Sequence, residues 1–106
     1  FLGDAVLEFV ACEHIYRNTD MTEGGMTDMK QDIVRNRSIS DAVLASGIGL
    51  DDVMLVGGGH LDPATKRPIV NENMRADAFE AMLAAVYLIY GMDDVRRIVR
   101  DVLVAC

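Results

Sequence analysis

Cysteine is scarce in this 106-residue sequence, and so is positive charge. The two cysteines, Cys12 and Cys106, form no CxxC pair and stand beside no clustered histidines. That excludes a zinc site and leads to the expectation of reduced thiols in a cytosolic, cytoplasmic setting. No apolar run approaches the roughly 18 residues that a membrane-spanning helix needs, so no membrane partner is expected. The opening residues carry no secretory-signal pattern. Ten lysines and arginines face seventeen aspartates and glutamates, a net charge of -7. A surface of that sign repels nucleic acid at long range unless cations or a basic partner offset it.

What is present fits one domain with a modest core. Half the residues are apolar (51%) and a quarter are charged (25%), an ordinary balance for a globular chain. Periodicity predicts a helix from residue 1 to about residue 17, with Leu2, Ala5, Val6, Phe9, Val10 and Tyr16 at helical intervals. A polar break at Asn18, Thr19 and Asp20 follows, where Asp20 or Thr22 can cap the next helix, from Glu23 to Val34. Gly24 and Gly25 weaken its start by about 1 kcal/mol each. A third helix is predicted to run to Ala45, capped by Asn36 or Ser38, with Ile39, Val43 and Leu44 inward and Gly47 as its stop. Residues 48–56 read as a connector with a brief helix at Asp51 to Met54, and Gly57 to Pro68 as a loop. Glu72 to Tyr90, stopped by Gly91, is the clearest helix, and Asp93 to Val104 makes the last. No strand alternation is present, so the fold class is all-α. The seven methionines are spaced like core filler.

Two acidic islands interrupt the apolar pattern: Phe1-Leu-Gly-Asp4-Ala-Val-Leu-Glu8 and Ala76-Asp77-Ala-Phe-Glu80-Ala81. Asp4 and Glu8 are one turn apart, and Asp77 and Glu80 share a face at i and i+3. A carboxylate in apolar company costs free energy unless it is paired or bound to a metal. Asp4 alone also reads as an ordinary surface aspartate, and Asp77 and Glu80 as partners of Arg75 or another arginine. Asp4, Asp77 and Glu80 converging from two helices would instead form a hard, oxygen-rich site for magnesium. Such an ion hydrolyses phosphodiesters. Gly3 lowers the bulk beside Asp4, which lets a helix or substrate approach. His14 is a lone histidine expected to face solvent or pack on Tyr16. His60, after three glycines, lacks the lysine and hydroxyl of a phosphate loop and reads as a turn. Arg35, Arg37, Lys66 and Arg67 are the candidates for phosphate contacts.

The residues that carry both islands resemble a known family. Phe1 to Glu8 resembles most of the signature of ribonuclease III, and Ala76 to Leu88 resembles its second acidic motif. Thr22-Glu23-Gly24, Met29-Lys30 and Ile33-Val34-Arg35-Asn36 follow the family order between them. The resemblance implies an all-α nuclease domain that forms a homodimer and cuts double-stranded RNA with magnesium, or manganese in its place. The products would carry 5′-phosphate and 3′-hydroxyl ends. By position, Asp4, Asp77 and Glu80 would be metal ligands, with Asp4, Glu80 and Glu23 the catalytic set. Glu23 would line the catalytic valley, and Phe1 would enter a socket of the dimer partner.

Two departures accompany the resemblance. The family signature carries one glutamate directly before the phenylalanine and another three residues earlier, so this sequence is expected to be a nuclease domain lacking its first helices. This sequence is also expected to hold no double-stranded-RNA-binding domain of its own. The family pattern also more often places an acid where His60 stands. A silent helical dimer serving as an RNA-binding or ribosome-associated scaffold is the competing class, and an unrelated acidic interaction module a third.

Overall fold

The structure, a computed structural model, describes residues 1–50 and 71–104. The predicted helix at Asp51 to Met54, the Gly57 to Pro68 loop, His60, Lys66, Arg67 and Cys106 lie outside the described residues. Five helices are described, α1 (Leu2–Asn18), α2 (Glu23–Val34), α3 (Asn36–Ser46), α4 (Glu72–Tyr90) and α5 (Met92–Val102). No strand occurs among the described residues, and the fold is all-α as expected.

Local chemistry sets the helix ends. Of the two candidate caps before α2, Thr22 is the one used: its Oγ1 accepts a hydrogen bond from the Gly25 amide at 3.2 Å. Asn71 does the same for α4, accepting from Met74 at 2.8 Å. Neither Asn36 nor Ser38 caps α3: Asn36 is already its first residue, and no side-chain cap is present. Gly47 closes α3 in the left-handed region at φ 71°, which glycine reaches without steric cost. Gly91, at φ 93°, turns the chain from α4 into α5.

The core is built around α4. Ala76, Phe79 and Leu83 meet Val6, Leu7 and Val10 of α1, Ile39 and Val43 of α3, and Val95 and Val99 of α5. Phe79, Leu7, Ile39 and Leu83 are completely buried, each contributing about 1.5–3 kcal/mol by removal from water. Helix α2 packs on α1 but buries none of its own residues fully. Leu44 departs from its expected inward place and is 55% exposed, because α3 meets the core along the Ile39–Val43 line alone. Among the described residues the methionines are not deep filler. Met82 and Met92 pack at the core's edge, and Met21 is exposed. Arg75 is buried and donates from Nη1 to Ser40 Oγ at 2.6 Å, tying α4 to α3.

Candidate metal and phosphodiester site

The two acidic islands meet on one side of the α1–α4 contact. Asp4, Asp77 and Glu80 line a single recess of about 420 Å³, together with Phe1, Gly3 and Leu88. Gly3 makes this meeting possible. A Cβ placed there would fall on the backbone carbonyl of Glu80, so the helices touch main chain to main chain at the residue beside Asp4. Packing notch and functional spacing are therefore the same feature.

Asp4 and Asp77 reach solvent, while Glu80 is half-buried. Burial first, and then the negative charges of Asp4 and Asp77, push the Glu80 carboxyl above the ordinary glutamate range. The Phe1 ammonium opposes this weakly, and Glu8 adds to it. Among the described residues no arginine or lysine pairs with any of the three acids. Arg75, the nearest candidate in sequence, points instead toward Ser40 on the other side of α4.

A divalent cation suits this donor set. Three hard carboxylates without a cationic partner, one of them raised by burial and like charge, are what such an ion would neutralise. The fit is one of donor chemistry and not of closed geometry: among the described residues, no three acid, histidine or cysteine side chains stand grouped tightly enough to hold a metal.

The remaining expected residues fall elsewhere. Phe1 is fully exposed at the rim of the acidic recess. Glu23 does not join the three acids. As the first residue of α2, it lines a separate recess between α1 and α2, with Phe9, Cys12, Tyr16 and Met26. Arg35 and Arg37 are engaged with Asp32 and Asp41 at 2.7 and 3.9 Å on the surface. His14 stands beside Asn18, whose amide lies 3.4 Å from Nδ1 and donates to the His14 carbonyl at 2.7 Å. Cys12 is a free, exposed thiol.

Two tertiary ion pairs escaped the sequence reading. Arg96 donates to Glu13 from Nε at 2.7 Å and from Nη2 at 3.3 Å, joining α5 to α1. This hydrogen bond is the main reason the Glu13 carboxyl lies below its ordinary range. Lys30 of α2 meets Glu8 of α1 at 3.3 Å. Neither pair leaves a local signal, because the partners are 83 and 22 residues apart.

A family profile described as Ribonuclease-III-like matches residues 1–105, and the chain belongs to that family. The protein named Ribonuclease 3 from Ectopseudomonas mendocina (strain ymp) is 38% identical over 102 residues, covering 95% of this chain and 42% of the relative. Ribonuclease 3 from Desulforamulus reducens is 39% identical over 105 residues, covering 97% of this chain and 40% of its own length. That of Caldanaerobacter subterraneus subsp. tengcongensis is 37% identical over 102 residues, covering 95% and 42%. The chain thus spans about two-fifths of the length of these relatives. No solved structure matches it. No helix among the described residues is long and apolar enough to cross a membrane.

Proposed function

We propose that this chain is the catalytic module of a ribonuclease III-type endoribonuclease that cleaves double-stranded RNA. The observation that carries the reading is the shared recess of Asp4, Asp77 and Glu80, brought together by Gly3 and unpaired with any arginine or lysine among the described residues. Named Ribonuclease 3 relatives over nearly the whole chain support the same reaction.

In this reading Asp4, Asp77 and Glu80 hold magnesium, with manganese as a substitute. When bound, such an ion supplies a water of lowered pKa and neutralises charge on the phosphate oxygens. The chain's own residues do the rest. Gly3 fixes the spacing of the two acid-bearing helices. Because burial and the neighbouring acids hold the Glu80 carboxyl above its ordinary range, protons would compete with an ion there and loading would weaken as pH falls. The products carry 5′-phosphate and 3′-hydroxyl ends. A-form RNA is recognised by shape and 2′-hydroxyls, since the site offers no groups that read base edges. Glu23, in the neighbouring recess, belongs to the wider surface along which the duplex lies and not to the ion shell.

The active form is a cytoplasmic homodimer. Support comes from the apolar residues beside the acids, where Phe1 and Leu88 line the recess and are both largely exposed. Phe1 inserts into the partner copy in this arrangement. Two recesses then serve the two RNA strands.

Glu80→Gln tests the assignment. With a duplex RNA and magnesium, the variant should retain its helical circular dichroism and its dimer while cleavage disappears. Cleavage that persists in Glu80→Gln removes the assignment. Binding of duplex RNA by the unaltered protein without any cleavage would favour the silent scaffold.

A further inference from the structure

Helix α1 carries a fourth carboxylate on the face that bears Asp4. Glu8 lies one turn further along, close enough for its charge to act on Glu80. It is not free to join the recess, because Lys30 of α2 holds its Oε1 at 3.3 Å. The lysine side chain is only 22% exposed, so this contact is more confined than the pairs within single helices among the described residues. Helix α2 therefore holds the carboxylate one turn beyond Asp4 through one ion pair, although neither Glu8 nor any residue of α2 lines the recess itself.

We propose that Lys30 is a positioning and specificity-determining residue: by holding Glu8 it keeps one more carboxylate out of the ion shell, which favours magnesium over calcium. The inference rests on the reading of the recess as a divalent-cation site. Its physical basis is the difference between the two ions. Magnesium keeps several of its waters and takes one or two carboxylates in a strict octahedron, whereas calcium accepts six to eight oxygens in a flexible shell. An extra carboxylate within reach thus helps calcium more. Simple loss of the lysine charge would strengthen both divalent ions alike. Only release of Glu8 changes their ratio.

Isothermal titration of the protein with magnesium and with calcium, without RNA, provides the test. Lys30→Gln should raise the ratio of calcium to magnesium affinity about fivefold, a coupling typical of residues in one charged network. Lys30→Arg should restore the original ratio, and so should Glu8→Gln combined with Lys30→Gln. Circular dichroism checks that each variant is folded, and the exposed Glu8 makes Glu8→Gln a mild control. An unchanged ratio in Lys30→Gln, or a changed ratio that survives in the double variant, overturns the role of Lys30 alone. Failure of the unaltered protein to bind either ion overturns the cation site itself and this inference with it.

Discussion

Two of the recesses along α1 are opposites. The one shared with α2 is the larger, about 710 Å³, and is lined chiefly by Phe9, Cys12, Ile15, Tyr16 and Met26. The one shared with α4 is about 420 Å³ and holds three carboxylates that pair with no arginine or lysine among the described residues. Charged groups do occur at the first, but Glu13 is matched by Arg96 and Lys30 by Glu8. Size and chemistry therefore point in different directions. Apolar surface around a groove is inexpensive to leave in contact with water, at roughly 25 cal/mol per Å². Like charges held together beneath neighbouring helices have no such neutral account, and their cost marks the site.

The contrast can be broken most forcefully at Gly3. Gly3→Val would drive its side chain into the Glu80 carbonyl, forcing α1 and α4 apart. Overpacking of this kind costs about 1–3 kcal/mol, and more where backbone must move. Urea unfolding should register that loss, and cleavage should fall beyond what the unfolded fraction explains. Stability equal to the unaltered protein would mean that the two helices do not need this contact.

A smaller effect sharpens the electrostatic half of the comparison. Glu80 has a carboxyl raised in the folded state relative to the unfolded chain. Such a group favours the fold below its unfolded pKa, and that contribution is lost as pH rises through the folded value. Glu80→Gln should accordingly melt higher than the unaltered protein at neutral pH in chelator. The gap should close as pH falls below the ordinary glutamate range, and added magnesium should reverse its sign. A thermal scan in chelator across acidic and neutral pH reads this directly; a gap that ignores pH removes the repulsion argument.

The smallest effect belongs to the apolar recess. Phe9→Ser with Tyr16→Ser alters residues that are 53% and 76% exposed. Stability should change by no more than about 0.5 kcal/mol per site. The rate of RNA cleavage should match the unaltered protein. A large loss of cleavage would move the working surface to the α1–α2 side, where Glu23 stands.

Much of this was legible without coordinates, and the exceptions have a common cause. Helices α1 and α4 announce themselves by period, and Gly47 and Gly91 stop their helices as glycines do. Asp77 and Glu80 share a face because i and i+3 must. The choice of Thr22 over Asp20 as cap and the engagement of Arg75 with Ser40 were open in the sequence, and Leu44, expected inward, turns outward. Each depends on which way a neighbouring helix lies. Glu23 shows the limit most clearly: the family resemblance set it along the catalytic valley, and only the fold shows that it lines a different recess from Asp4, Asp77 and Glu80.

By itself the sequence determined the helical elements, their ends and the two acid-bearing faces, since these follow from spacing within a few turns of one helix. Only the tertiary structure decided that Asp4 would share a recess with Glu80, that Lys30 would restrain Glu8, and that Arg96 would reach Glu13. Those are contacts across tens of residues. Their geometry depends on how closely two helices can pack, and here that distance is set by the missing side chain of Gly3.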